Sequence, residues 1–554
     1  MFQDDEVAKQ QEMQERREEL RENLQEELKQ PVHFEPMPSR WYRDPWSLLP
    51  GPPYVINEPG DNLLDPYRQN VLKGDFPIMG EDLFLRLTLT ERAIVEGRSI
   101  PLQAPLSSPS PGGFGFFGKS DQFFFTSKTA LTVDLFKGQE AFKPVDWRVR
   151  VTGVVDYTLL AISEYGGVNI NIGDPRTRET GDLSLQEALV EIHLFDLNDR
   201  FDFISSEVGI FPFRSDFRGF IFDDVNLGVR LFGNADDNKW QYNAVFFHML
   251  ENDTNSDLLT FDERDQQVLI LNVYRQDFLW LGYTLNLSFH YNHDEPSTHF
   301  NVNDFLVRPQ PVGLAKEKEI HAYYFGFAGD GKFGRVNITH AFYQVYGSET
   351  NNAFAARDTN IDAQFAAIEL SYDLDWWRIR VYGMYASGDK DPFDKEAEGF
   401  DAIRDLANFA GGEVSYFNRQ QIQLIGVGLT TRFSFLPDLT TSRLEGQSNF
   451  VNPGLWLFGA AINADITPTL RGQIGFNHLR FDESAVLEVY LEVEDISNEI
   501  GNELYFSAQW RPLLTNNIIA NFGASVFFPG DGFEKIYQTD ETQYSVFFDL
   551  IVTY

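Results

Sequence analysis

The chain has 554 residues, a formal net charge of -38, no cysteine, and 51 phenylalanines within an aromatic content of 15%. The missing cysteines exclude disulfides, thiolate metal centres, c-type haem attachment and cysteine nucleophiles, and the acidic excess argues against nucleic acid, whose phosphates demand clustered Lys and Arg. No stretch reaches the roughly 18 consecutive apolar residues of a transmembrane helix, which leaves alternating strands, of modest mean hydropathy, as the route across a membrane.

The opening MFQDDEVAKQ has neither a basic n-region nor an apolar core, so the expectation is a mature form without its signal peptide. Residues 1–30 carry DDEVAKQQEMQERREELRENLQEELK, good helix formers with opposite charges three and four residues apart. This predicts a charged periplasmic helix, on which Leu20, Leu24 and Leu28 make only a narrow apolar stripe. Residues 31–82 turn to Pro, Trp, Tyr and Asn, as in FEPMPSRWYRDPWSLLPGPPYVINEPGDN, an extended composition without periodicity. The segment is expected to be a tether, a cover across the barrel mouth or a plug inside it.

From residue 83 to 554 the pattern is monotonous alternation. In LWLGYTLNLSFHYN, Leu285, Leu287, Phe289 and Tyr291 share one face, and Asn286, Ser288, His290 and Asn292 share the other, as a strand requires. NIIANFGASVFF and the terminal YSVFFDLIVTY divide likewise, with Tyr544, Val546, Phe548 and Val552 opposite Ser545 and Asp549. WRVRVTG and WRIRVYG repeat one phrase, with Arg148 and Arg150, then Arg378 and Arg380, on the face opposite the β-branched residues. Such strands outrun the five or six residues, on average, of a soluble sandwich.

Tight turns are expected at RQD (275–277), GDGK (329–332) and DLD (373–375), and long loops at ENDTNSDLLTFDER and YNHDEPSTHFNVNDFLVRPQP. Short turns on one rim and long loops on the other describe an outer-membrane barrel with its short turns in the periplasm. The fold class is therefore all-β, a closed antiparallel transmembrane barrel of 18–20 strands with an N-terminal charged helix and a Pro/aromatic-rich extension. Nineteen candidate strands can be counted, and two ends on one side of the membrane require an even number. The direction bookkeeping fails at LPDLTTSRLEGQSNFVNP (436–453), where either one short crossing is hidden or an earlier segment is overcounted.

YASGDKDPFDKEAEGFD, 385–401, leaves the WRIRV strand for a long loop. Through Ser387, Gly388, Asp389, Lys390, Asp391, Pro392, Asp394 and Phe400 it resembles the signature of the alginate-export family of outer-membrane barrels. The resemblance implies a barrel of roughly eighteen strands, and the family's namesake passes an anionic polysaccharide through an arginine-lined pore. Here the inward candidates are mixed. Arg148, Arg150, Arg230, Arg378, Arg380 and Arg511 come with Asp156, Glu187, Glu191, Glu369 and Asp373. Either facing rows of opposite sign set up a transverse field that orients polar solutes, or the residues pair and stiffen the wall.

FPFRSDFRGFIFDDVNLGVRLFG places Arg214, Asp216, Arg218, Asp223 and Asp224 between two strands. Its phenylalanines need burial, so the loop is expected either to fold into the mouth and constrict it or to pack on neighbouring loops. Asp389, Asp391 and Asp394, and separately Asp253, Asn255 and Asp257, have spacings that would let oxygens gather around calcium, but both lack the Gly and Glu of an EF-hand loop. The nine histidines are scattered, without HExxH or a paired His–carboxylate motif, and no nucleophile or nucleotide fingerprint stands out. No catalytic or metal site is predicted. The expected function is a porin-like channel, for diffusion or export of polar or charged solutes, saccharides among them. Its partners would be outer-membrane lipid and lipopolysaccharide. The alternative is a scaffold barrel that holds a periplasmic or threaded protein through residues 1–82.

Overall fold

Strict alternation over long segments gives long strands, and in this computed structural model eighteen of them pair edge to edge. The structure describes residues 70–101, 119–420 and 445–554, apart from short gaps at 139, 141–142, 166–167, 170, 201, 303 and 310–313. The charged helix expected in 1–30, and the extension as far as residue 69, lie outside the described residues.

The strands are β1 (Leu83–Ser99), β2 (Asp121–Lys137), β3 (Trp147–Ile162), β4 (Thr177–Asp196), β5 (Phe203–Arg214), β6 (Asp223–Ala235), β7 (Trp240–Asn252), β8 (Leu259–Arg275) and β9 (Tyr283–Asp294). They continue as β10 (Ile320–Phe333), β11 (Val336–Glu349), β12 (Thr359–Leu374), β13 (Trp377–Ala386), β14 (Leu455–Thr467), β15 (Leu470–Arg480), β16 (Glu499–Trp510), β17 (Ile518–Pro529) and β18 (Gln543–Thr553). Each is antiparallel to the next, and β18 returns to β1 with Thr90 opposite Thr553 and Arg98 opposite Ser545. Closure gives every strand two neighbours, and in hydrocarbon each unpaired backbone group would cost several kcal/mol.

Trp377 lies opposite Ala464 and Ala386 opposite Leu455, so β13 and β14 are direct neighbours in the sheet, and among the described residues the ring closes with eighteen long strands against the nineteen counted. Two-residue turns stand at 334–335, 375–376 and 468–469, on the same rim as the start of β1 and the end of β18. GDGK is not a turn but the end of β10. Its glycines allow close approach instead: a Cβ on Gly329 would stand 2.3 Å from the Tyr283 hydroxyl, and one on Gly331 2.5 Å from the Tyr283 Cα. The loop expected over 251–264 shrinks to 253–258, because LTFDER already belongs to β8.

The parity reading holds on the outside. In β18, Tyr544, Val546, Phe548 and Val552 are exposed, whereas Ser545, Phe547 and Asp549 are buried. Leu287 on β9, Val229 on β6 and Val381 on β13 are likewise exposed. Exposed apolar side chains recur on strand after strand around the whole wall, far beyond the few hundred Å² of patch a soluble monomer shows. Tyr291, Tyr323 and Tyr346 lie in one row on β9–β11 toward the long-loop rim, and Trp240, Trp376 and Trp510 stand near the short-turn rim. Apolar belt and aromatic girdles together are the surface that a bilayer solvates.

The inside departs from a uniformly wet lumen. One apolar cluster runs from wall residues such as Val245, Phe247, Tyr324 and Phe365 to loop residues Phe220, Phe222, Phe400, Phe409 and Tyr416. Segments from the long-loop rim fold back inside and bring their own core with them.

Candidate functional site in the barrel lumen

Toward the short-turn rim the interior is polar, and its charges come in pairs on adjacent strands. Arg148 on β3 reaches Asp134 on β2 at 3.2 Å and Glu191 on β4 at 3.1 Å, and Arg150 reaches the same Asp134 at 3.1 Å. Arg86 on β1 joins them through Asp134 (3.6 Å) and Glu140 (2.6 Å). Arg230 on β6 bridges Glu207 on β5 at 3.3 Å and the Asn243 amide oxygen at 2.7 Å. On the far side of the ring, Arg380 on β13 and Arg218 from the loop after β5 share Glu369 on β12, at 3.5 and 3.1 Å. Arg92 joins Asp549 at 2.7 Å and Glu413 at 3.1 Å.

Of the wall residues read from sequence, Arg148, Arg150, Glu187, Glu191, Arg230, Glu369 and Arg380 therefore lie on inward-facing positions, Glu187 accepting a hydrogen bond from Thr152. Asp156 is buried nearer the other rim, held by Thr126 and Thr158 at 3.1 and 2.8 Å. Asp373 and Arg378 pair at the short-turn rim, in a cleft shared with Asp465 and Arg471. Arg511 is not on a strand at all: β16 ends at Trp510 because Pro512 cannot extend the ladder, and Arg511 opens the turn. Facing rows of opposite sign are absent among these residues, since each pair closes on its own wall. Sequence reading missed Asp134, Glu207, Arg86 and Arg92, and it read the parity of Asp549 without naming it as a lumen charge. Their inward parity was readable in the alternation of β1, β2, β5 and β18.

The loop between β5 and β6, 215–222, turns inward. Arg214 and Asp223 close its neck at 2.6 Å. Asp216 holds it together, accepting N–H bonds from Arg218 (2.8 Å) and Gly219 (2.6 Å) and the Tyr343 O–H (2.9 Å). Phe220 packs on Phe365 and Phe409, and Phe222 stacks on Phe247. Gly219, at φ 78°, lets this loop meet a second segment, for a Cβ there would stand 3.0 Å from the Leu406 carbonyl. Backbone bonds then run from Arg404, Leu406 and Asn408 to Ile221, Gly219 and Arg218, and Arg404 reaches Asp224 at 3.6 Å.

That second segment begins with the family-like motif. Ser387 donates to the Glu398 carbonyl (2.6 Å), the Gly388 N–H donates to Asp482 (2.9 Å), and Phe400 stacks on Phe365. Asp389, Asp391 and Asp394 each accept a backbone N–H two residues on, and Pro392 sits between these turns. Asp253 does the same for Asn255 and Ser256, whereas the Asp257 N–H donates to the Asp253 carbonyl. These carboxylates cap their own loops, the role that Asp favours in turns. Burial pushes the Asp389 carboxyl up to about 7. Further on, Arg419 pairs with Glu96 on β1 at 2.7 Å, the Phe417 N–H donates to Glu503 on β16 at 2.8 Å, and Tyr416 donates to the Ser99 carbonyl at 2.6 Å. Gln447 returns to Asp294 at 2.9 Å. The inward segments thus touch strands all around the ring.

One stripe of the wall is buried, uncharged and short of partners. On β9, both polar atoms of the Asn286 amide and both ring nitrogens of His290 lack a hydrogen-bond partner among the described residues. The His290 ring packs edge-on against Tyr324 and Tyr343.

No family model matches the chain, and no curated protein matches it. Among solved structures it is similar to OccK9 (OpdG) of Pseudomonas aeruginosa, at TM-score 0.48 and 9% identity over 85% of this chain and 98% of that one. A BenF-like porin from Pseudomonas fluorescens Pf-5 gives 0.45 and 10%, over 85% and 98%, and Acinetobacter baumannii OccAB3 gives 0.43 and 11%, over 85% and 99%.

Proposed function

We propose that this chain is a porin-like channel of the bacterial outer membrane, with its short-turn rim in the periplasm, that passes small polar or charged solutes by diffusion. The observation that carries the reading is the charged short-turn half of the lumen, set inside a barrel whose outer wall is apolar. In this reading the inward loops 215–222 and 387–420 form the constriction, and lipid and lipopolysaccharide surround the wall. Arg86, Arg92, Arg148, Arg150, Arg230 and Arg380 each already have a carboxylate on an adjacent strand. Zwitterionic or hydroxyl-rich solutes, saccharides included, suit such a wall better than a polyanion, which would have to break the pairs. Diffusion is preferred to export, because the site needs no energised partner.

Planar-bilayer recording of the full chain is the test. Discrete conductance steps with mild ion preference support it, and a folded barrel that inserts yet passes no current at any voltage overturns it.

A second reading, a barrel that docks a periplasmic protein, rests on the start of the described chain. Leu72 accepts a backbone bond from Leu87 on β1, and Lys73 lies over the Tyr554 ring at 4.9 Å, so residues 72 and 73 pack against the barrel wall toward the short-turn rim. Pull-down with and without residues 1–82 separates the two, since only a docking extension loses a partner on truncation.

A further inference from the structure

The outward faces of β9 and β10 meet the long-loop rim in a cluster that the lumen does not use. Glu319 precedes β10 and His321 is its second residue, so two positions of extended chain put both on one face. His293, next to last in β9, lies directly opposite His321 in the ladder. The two imidazoles stack with centroids 4.4 Å apart and planes 9° apart. Both Nε2 atoms point at one carboxylate oxygen, Glu319 Oε1, which is 3.2 Å from His293 and 3.1 Å from His321. The three donor atoms all lie within 4.8 Å of one another. The Tyr291 hydroxyl lies 2.9 Å from Nδ1 of His321.

The level of the cluster matters. Tyr291 and Tyr323 form the pair two residues nearer the bilayer, and the row through His293 and His321 continues as Gln267 on β8 and Ser348 on β11. The cluster therefore stands just past the aromatic girdle, where water and polar headgroups reach it and desolvation of a cation is not required. Two imidazoles and a carboxylate converging on one point are the donor set of a borderline divalent metal, as in three-ligand zinc centres that leave a fourth position for water. In such centres an oxygen acceptor for the other ring N–H orients the ligating imidazole, and the Tyr291 hydroxyl occupies that place for His321. Calcium and magnesium, which take oxygen donors, are poorly served by this set.

We propose that His293, Glu319 and His321 form a binding site for a divalent transition-metal ion, Zn²⁺ by the chemistry of its donors, on the outer wall of the barrel at its long-loop rim, with Tyr291 positioning His321. The neighbouring His248–Glu263 pair, 2.7 Å apart on β7 and β8, has one imidazole only and serves as the internal control.

The test is calorimetric titration of the full chain in detergent with ZnCl₂ at pH 7.5. One site is expected that His293→Ala and His321→Ala each weaken by tenfold or more and Tyr291→Phe by less, while His248→Ala leaves it unchanged. Acidification to pH 5.5 should weaken it, since protons compete for imidazole, and millimolar Ca²⁺ should not displace the zinc. Titrations of folded His293→Ala and His321→Ala variants that superimpose on the wild type overturn the site, leaving a hydrogen-bonded triad. If the variants do not fold, electron paramagnetic resonance of the unmodified protein with one equivalent of Cu²⁺ decides: splitting from two imidazole nitrogens supports the site, and an all-oxygen spectrum overturns it.

Discussion

Glu369 holds two arginines, Arg380 from the neighbouring strand and Arg218 from the inward loop, and Asp373 holds Arg378 at the rim. Removing Arg378 and Arg380 strips Asp373 of its partner arginine and leaves Glu369 to Arg218 alone. Arg378→Gln with Arg380→Gln should therefore shift the reversal potential in a salt gradient toward cation preference, and an unchanged potential would mean that these residues do not face the permeating ion. The same logic, with protons, applies to Asp389. Its carboxyl is raised from 3.8 to about 7 by burial, so the folded loop holds a proton that the unfolded loop gives up. Its contribution to loop anchoring is complete below about pH 4 and is lost as the pH climbs through about 7. Hydrogen exchange over 387–400, corrected for intrinsic rate, should show protection falling across that window, and Asp389→Asn should flatten the profile. A wild-type profile already flat would remove Asp389 from the account.

At the scale of elements, the wall was legible and its filling was not. Alternation such as Asn286, Ser288 and His290 against Leu285, Leu287 and Phe289 is a property of consecutive residues, so one strand states it alone. The packing of Phe220 on Phe409, or of Tyr416 on Phe527, joins residues far apart in sequence, which no local alternation announces. A trace of it survives in β7, where Val245 and Phe247 point inward while Phe246 points out. Both faces are apolar because the lumen there holds an apolar loop, as in a strand buried on both sides. The charged lumen was half legible: Arg148 and Arg380 were found, whereas their pairing with Asp134 and Glu369 depends on register. Phe220→Ala tests the filling. Losing this ring from a packed site costs about 3 kcal/mol and frees the loop, so single-channel conductance should rise and fluctuate more. Conductance equal to wild type would place the constriction elsewhere.

At the scale of the molecule, two solvents act on one sheet, and the same substitution should have opposite meanings on its two faces. Val229, midway along β6, is 45% exposed on the outer wall. Gln509 on β16 faces the polar short-turn half of the lumen, donating to Asn521 at 3.1 Å. An arginine at Val229 has to bring its charge into hydrocarbon near the bilayer midplane, a cost of about 2–4 kcal/mol. An arginine at Gln509 keeps its guanidinium in water and among acceptors, so its cost should be near zero on the same scale. Reversible urea unfolding from lipid vesicles measures both. A large loss for Val229→Arg beside a small one for Gln509→Arg is the asymmetry that a lipid-clad barrel with a wet lower lumen must have. Equal losses would mean that the apolar belt is not solvated by acyl chains, because nothing else in the fold distinguishes the two positions by several kcal/mol.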